Sequence, residues 1–187
     1  MYNAKGLPIG VIGRTASSEQ KAFKNSKGLP TSKTLWNIHN AKRTGDTVIV
    51  CEASFDGMKI AQAGYPNVVA CLGGNFSEYH EQQLGMYFSR IIIMTDFDDK
   101  EKHRYVNCRK CMVKGLQTCV GHNPGRALGQ KIADKMKGKQ ILWAAYDHKI
   151  IFPDGAKDAD DSGTPAVRQC IKNAVSNMEY QSWGIAS

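Results

Sequence analysis

Residues 47–74, TVIVCEASFDGMKIAQAGYPNVVACLGG, contain two short apolar runs on either side of a segment with helical character. TVIVCE predicts a buried strand and NVVACLGG a second one. Between them, SFDGMKIAQAG predicts a helix that Ser54 opens and Gly64 closes. A strand, a helix and a second strand in this order predict a parallel βαβ unit.

The same alternation continues toward the C-terminus. SEYHEQQLGMYFS predicts a helix with Ser77 as its N-cap, and RIIIMTD predicts a bulky, β-branched strand of the kind that is covered on both faces. PGRALGQKIADKMKG predicts a helix with Pro124 in its first turn and Gly138 as its stop. KQILWAAYD then predicts a fourth strand, and TPAVRQCIKNAV a final helix capped by Thr164. The sequence therefore predicts an α/β fold with a parallel sheet and flanking helices.

The first 45 residues differ from the rest. They are rich in Gly, Ser, Thr and Lys and include short extended pieces such as LPIGVIGRT. This composition predicts strands and loops with a basic surface rather than a helical unit.

Composition limits the class of protein. The chain has 187 residues, which suits one domain with a real core, and a formal net charge of +8, which favours a polyanionic partner such as nucleic acid. It has no apolar run of membrane-spanning length and no signal-peptide pattern, so we expect a cytoplasmic protein with no membrane partner. In that compartment its six cysteines are expected to be thiols or metal ligands.

Carboxylates follow two of the predicted strands. Glu52 comes after TVIV and Asp96 after RIIIMT, with Asp98 two residues further on. Because the carboxyl ends of parallel strands meet at one edge of a sheet, these side chains should lie close together. Hard divalent cations such as Mg²⁺ prefer oxygen ligands, so the pattern predicts a site that acts on phosphates.

A second metal site is predicted directly behind the first. Cys108-x2-Cys111 is followed after seven residues by Cys119-x2-His122. Two ligand pairs with this spacing suit tetrahedral Zn²⁺, which can fold a segment too short and polar to hold itself together. His103 is a possible substitute ligand.

The run VIVCEASFDGMKIAQAGYPNVVACLGG, together with TDFDD and PDGAKDADD, resembles a Toprim domain, the catalytic module of bacterial-type primases and topoisomerases. The resemblance makes Glu52 the signature glutamate, Asp56 the aspartate of the following helix, and Asp96 and Asp98 the Asp-x-Asp motif. Asp158 and Asp160 match the last acidic pair. It implies that Glu52, Asp96 and Asp98 are catalytic and, with Asp158 and Asp160, hold Mg²⁺ or Mn²⁺.

The N-terminal part is similar to the end of the primase RNA-polymerase subdomain, where a Gly-Arg strand leads to Asn-Ser and then to Lys-x-Leu-aromatic. The match is carried by Arg14, Asn25, Ser26, Lys33 and Trp36. Two details depart from the pattern: Ala53 replaces the usual Gly, and the lysine before Asn-Ser is displaced, so that Lys21 or Lys24 must stand in for it. Nucleic acid and nucleoside triphosphates are expected to contact Arg14, Lys21, Lys24, Asn25 and Lys33.

The resemblance also divides the chain. It implies that residues 1–45 are a remnant of the polymerase N-terminal subdomain and that residues 46–187 are the Toprim domain. In primases a Gly-Arg helix start follows the Asp-x-Asp motif almost at once, so residues 99–123 are interpreted as a zinc-binding insertion. A cellular primase has further domains before and after this region, so we expect a fragment, a compact phage-like version or a component that works with a partner.

The leading hypothesis is the catalytic core of a DNA primase, which joins ribonucleotides on a single-stranded DNA template. It would act in a bacterial or phage-infected cell, with a replicative helicase or another primase subunit as a partner. Two alternatives stay open: a Toprim nuclease or topoisomerase-like component, and a nucleic-acid-binding accessory module without catalysis.

Overall fold

The computed structural model describes residues 1–15, 23–98, 104–119, 121–144 and 156–183; Lys21, Asp99, His103 and Asp154 lie outside these ranges. The strands are β1 Ile12–Arg14, β2 Phe23–Asn25, β3 Thr47–Cys51, β4 Val68–Ala70, β5 Arg90–Ile93, β6 Gln140–Trp143 and β7 Val175–Ser176. The helices are α1 Ile38–Ala41, α2 Ser54–Gln62, α3 Glu78–Tyr87, α4 Arg109–Val113, α5 Pro124–Lys135, α6 Ala159–Ser162, α7 Thr164–Lys172 and α8 Asn177–Ser182. A short 3₁₀ helix covers Thr31–Lys33.

The main sheet has five strands in the order β4-β3-β5-β6-β7. β3 pairs in parallel with both β4 and β5, and β5 pairs in parallel with β6. The two-residue β7 pairs antiparallel with β6 at the edge. The α/β class and the parallel core of the sheet are therefore confirmed, while the antiparallel edge strand was not predicted.

Helices cover both faces of this sheet. Val48 and Val50 of β3 belong to one buried cluster, with Leu84 of α3 and Ile132 of α5. Ile49 and Cys51 belong to the other, with Ile60 of α2 and Val167 of α7. Successive side chains of a strand point to opposite faces, so a sheet buried on both sides needs continuous apolar runs. That requirement explains why β3 and β5 carry the unbroken apolar runs VIV and III.

The helix ends agree only partly with the prediction. Ser77 caps α3 and accepts a hydrogen bond from the backbone N–H of His80 at 3.2 Å, as expected. Ser54 is the first residue of α2, as predicted, and follows Ala53 at the cap position. Thr164 is the first residue of α7 rather than its cap, which is Gly163. Before α2 the carboxylate of Asp56 accepts the N–H of Ala53 at 3.3 Å, which satisfies a backbone donor at the helix start.

The N-terminal segment forms an antiparallel hairpin of β1 and β2, separate from the main sheet. Strands and loops were predicted here, and the short helix α1 at its end was not. The Arg14 guanidinium at the end of β1 donates to Asp160 at 2.9 Å, which ties the hairpin to the first turn of α6. No helix within the described ranges is long and apolar enough to cross a membrane.

Two helical glycines allow a test of the packing between α5 and β6. A Cβ on Gly129 would lie 2.7 Å from the Trp143 ring and 2.9 Å from Thr95 Oγ1, whereas one on Gly85 of α3 would meet only Met136 Cε, at 4.0 Å. We expect Gly129→Ala to lower the free energy of unfolding by about 1–3 kcal/mol through overpacking. Gly85→Ala should leave it unchanged or raise it by up to about 1 kcal/mol through helix propensity. Urea denaturation of both variants measures the difference; equal effects would contradict this packing.

Candidate functional site

A cavity of about 510 Å³ lies where β3 and β5 end, and six of the fifteen described residues that line it are acidic. The register pairs Val50 of β3 with Ile93 of β5, so the chain leaves both strands at the same edge of the sheet. The acidic residues of the lining are Glu52, Asp56, Asp96, Asp158, Asp160 and Asp161. Four of the five carboxylates predicted to hold Mg²⁺ or Mn²⁺ thus share one cavity.

The fifth predicted carboxylate, Asp98, is held next to this cavity by the start of α5. Its Oδ2 accepts the N–H of Gly125 at 2.9 Å, and its own N–H donates to Oδ1 of Asn123 at 3.2 Å. The same Asn123 oxygen accepts the N–H of Arg126 at 3.0 Å, as the N-cap of α5. Asp98 and Asn123 are both buried, so the backbone fixes this carboxylate from two sides.

The carboxylates of the cavity raise one another's pKa. Burial raises the pKa of Asp96 to about 8, and the negative charges of Asp56, Glu52 and Asp158 add to the effect. Burial and then the charge of Asp158 raise the pKa of Asp56 to about 7, and burial followed by Asp98 raises that of Glu52. Clustered, desolvated carboxylates disfavour their charged forms unless a cation is present. The donor set therefore fits a hard divalent cation.

Lys157 places its ammonium among three of these side chains. Its Nζ lies 3.4 Å from Asp96, 3.6 Å from Asp98 and 4.0 Å from Asp158. Partial burial lowers the pKa of Lys157, but the three carboxylates outweigh that effect and raise it. The ammonium offsets part of the repulsion while its side chain stays half exposed.

The predicted nucleic-acid residues separate into two groups. Arg14 and Asn25 line the acidic cavity. Lys24 and Lys33 are exposed and are not among the described residues that line it. Lys21 lies outside the described residues. Roles in binding phosphates remain predictions for all five.

The four predicted zinc ligands meet in one cluster. Nε2 of His122 lies 3.0 Å from Sγ of Cys108, 3.4 Å from that of Cys119 and 3.7 Å from that of Cys111. All four ligand atoms lie within 4.8 Å of one another. A tetrahedral ion with Zn–S and Zn–N bonds of the usual length separates such atoms by roughly 3.5 Å. A hydrogen bond with the Tyr105 backbone lowers the pKa of the Cys119 thiol, which favours the thiolate that a metal binds.

Sequence reasoning missed several residues of the site. Lys157 stands directly before Asp158 in PDGAKDADD, but a single lysine beside an aspartate is most often a solvated charge. Asn123 and Gly125 flank Pro124 at a recognisable helix start, yet nothing local indicates that they hold Asp98. Asp56 was noted only through the resemblance; its Oδ1 accepts the N–H of Asp160 at 3.2 Å, which joins α2 to α6.

Comparisons with known proteins agree with this geometry. Residues 46–102 match the Toprim domain model. A DNA primase from Clostridium acetobutylicum is 28% identical over 192 residues, which cover 97% of this chain and 27% of the relative. One from Staphylococcus epidermidis is 29% identical over 159 residues, which cover 81% of this chain and 27% of the relative. The chain thus spans about a quarter of the length of these relatives.

Solved structures show the same fold. The zinc-binding and RNA polymerase domains of the Aquifex aeolicus primase superpose with a TM-score of 0.68 at 19% identity, over 96% of this chain and 40% of that one. A DNA primase domain from Pseudomonas aeruginosa gives 0.64 at 23% identity, over 96% and 51%. A DnaG primase catalytic domain bound to ssDNA gives 0.65 at 19% identity, over 97% and 53%.

The raised pKa of Asp96 predicts how stability depends on pH. A carboxyl group whose pKa rises on folding, here from 3.8 to about 8, stabilises the fold below its unfolded pKa, and the contribution is lost as the pH rises toward 8. Without divalent cations, we expect Asp96→Asn to melt at least about 2 °C above the unsubstituted protein at pH 8, and the difference to shrink toward pH 5. Asp134→Asn, an exposed change on α5, is the control.

Thermal melts with and without MgCl₂ complete this test. At pH 8 added Mg²⁺ should raise the melting temperature of the unsubstituted protein and of Asp134→Asn but not that of Asp96→Asn. An Asp96→Asn variant that is less stable than the unsubstituted protein at every pH would contradict the assigned repulsion.

Proposed function

We propose that this chain, as a Toprim-type primase core, acts as the catalytic core of a DNA primase. It would join ribonucleotides into short primers on single-stranded DNA. The observation that carries the proposal is the convergence of Glu52, Asp96 and Asp158 in one cavity, with Asp98 fixed beside it. The sequence similarity to DNA primases over 97% of the chain supports it. As a nucleotidyltransferase, the protein would carry out phosphoryl transfer.

The carboxylates are proposed to hold Mg²⁺ or Mn²⁺. Glu52, Asp96 and Asp98 would be the catalytic ligands, and Asp158 and Asp160 would complete the set. When bound, such ions neutralise the charge that develops on a transferring phosphoryl group. The raised pKa values of Glu52 and Asp96 support this assignment, because a site built for a cation is destabilised without one.

Other side chains of the cavity would position the substrates. Arg14 lies at its wall, where the guanidinium pairs with Asp160 and lies over the Phe55 ring at 5.0 Å. Such a fork-shaped donor suits a triphosphate or the template backbone. Asn25 on the neighbouring strand of the hairpin offers an amide to the same space. Lys24 and Lys33, both exposed, and Lys21 would guide the template electrostatically.

The larger organisation is also a proposal. Residues 1–45 would be the remnant of a polymerase N-terminal subdomain, and residues 46–187 the Toprim domain with its insertion at 99–123. A replicative helicase or another primase subunit would be the partner of this chain. The setting would be the cytoplasm of a bacterial or phage-infected cell.

Primer synthesis tests the function. Purified protein, single-stranded DNA, labelled ribonucleoside triphosphates and Mg²⁺ or Mn²⁺ should yield short RNA products. We expect Asp96→Ala to reduce the rate at least about 100-fold, because it removes a metal ligand, while Asp134→Ala retains it. The products are measured by gel electrophoresis.

Other outcomes distinguish the remaining possibilities. Cleavage of plasmid or structured RNA by the unsubstituted protein, without ribonucleotide incorporation, would replace the proposal with a nuclease. If the protein binds metal but shows neither primer synthesis nor cleavage, even after a partner helicase is added, the chain would be a nucleic-acid-binding module without catalysis.

The cysteine cluster is proposed to hold one structural Zn²⁺ through Cys108, Cys111, Cys119 and His122. Four protein ligands leave no open position for catalysis, and soft thiolates select zinc over Mg²⁺. Elemental analysis after purification without added zinc should find about one equivalent. The double variant Cys108→Ser/Cys111→Ser should lose it, and Cys170→Ala, a change at a buried cysteine outside the cluster, should keep it. Unchanged metal content in the double variant would disprove the assignment.

A further inference from the structure

A second cavity, of about 1140 Å³, lies beside the cysteine cluster and is separate from the acidic one. One wall is the described part of the insertion, where Tyr105, Arg109, Lys110, Val113 and Lys114 contribute side chains. The other wall is the start of α5, at Pro124 and Ala127. We call the surface formed by these five insertion residues the knuckle face.

The described charged side chains around the second cavity are all basic. From Arg104 to Ala127 the sequence contains no Asp and no Glu. Arg104, Arg109, Lys110 and Lys114 are all exposed. This stretch therefore attracts anions without competition from carboxylates of its own.

The same region exposes apolar and aromatic side chains. Tyr105 is 52% exposed and Val113 81%, and their neighbours Val106 and Met112 are also exposed. The Tyr105 ring is stacked on the ring of His122, with centroids 6.0 Å apart and planes inclined by 20°. A cluster ligand therefore orients an aromatic ring beside a row of cations.

We propose that the knuckle face binds a single strand of nucleic acid. Arg109, Lys110 and Lys114 contact successive phosphates, and an unpaired base stacks on Tyr105. A groove that combines cations with an aromatic ring suits this ligand, because every base has a stacking face and every phosphate a charge. A duplex hides its base faces, and an acidic protein needs no aromatic platform. The proposal concerns binding and does not require the proposed catalysis.

The position of the groove favours a strand that continues to the acidic cavity. His122 of the cluster immediately precedes Asn123, the residue that accepts the Asp98 N–H. A strand on the knuckle face therefore lies beside the Asp-x-Asp turn. If the chain is a primase core, the bound strand is the template.

Fluorescence anisotropy with a labelled 20-nucleotide oligothymidylate, without nucleotides or added divalent cations, tests the proposal. Lys110→Ser/Lys114→Ser removes two charges from the knuckle face, and Lys137→Ser/Lys172→Ser removes two exposed charges elsewhere. We expect the first pair to weaken binding at least about tenfold more than the second. It should also make the negative slope of log affinity against log salt less steep by about 1.4, the value for the loss of two phosphate contacts with a single strand.

Tyr105→Ala separates stacking from charge. It should weaken binding at least about fivefold with an unchanged salt slope, since the loss of one stacked base is a non-ionic effect. Tyr105→Phe should restore the affinity. Zinc content measured on every variant confirms that the cluster is intact.

Several results would overturn the proposal. They are equal losses in the two lysine pairs, no binding of the oligonucleotide at low salt, and tighter binding of a duplex of the same length. Competition by polyglutamate as strong as that by oligothymidylate, with Tyr105→Ala unchanged, would assign the face to an acidic protein instead.

Discussion

The structure depends on bringing several carboxylates together at one edge of a parallel sheet. β3 and β5 are neighbours in register, so Glu52 and Asp96 leave the sheet at the same end, and α6 adds Asp158 and Asp160 from much later in the chain. The repulsion among them is offset locally. The Lys157 ammonium lies near Asp96, and the Arg14 guanidinium pairs with Asp160. The neighbouring Asp56 carboxylate accepts the backbone N–H groups of Ala53 and Asp160. The compensation is incomplete, since the pKa of Asp96 stays near 8.

Asn123 connects the two predicted metal sites. It is the N-cap of α5, it receives the Asp98 N–H, and it directly follows His122 of the cysteine cluster. The two N–H groups that follow belong to Gly125, which binds the Asp98 carboxylate, and Arg126, which binds Asn123 itself. A shift of His122 therefore displaces the group that orients Asp98. Gly125 has no alternative, because a Cβ there would collide with the Asp96 backbone.

The sequence predicted what depends on local pattern. Continuous apolar runs identified the four parallel strands, and the carboxylates that end two of them followed directly, because sheet topology brings strand ends together. The spacing of the cysteines and His122 was equally local. Lys157 was missed because its role depends on contacts with Asp96 and Asp98, which lie far earlier in the chain. β7 was missed because two residues, Val175 and Ser176, are too few to show a period.

Little apolar burial supports the insertion that carries the cysteine cluster, which is why we propose a metal there. In the part of it that the structure describes, Cys111 is the one buried hydrophobic residue, while Val106 and Val113 remain more than three-quarters exposed. So little apolar burial cannot offset the conformational entropy of ordering the segment. Bonds from four side chains to the proposed metal would offset it without recruiting the apolar residues into a core. Those side chains and the neighbouring cations are thereby left on the surface, where a ligand can reach them.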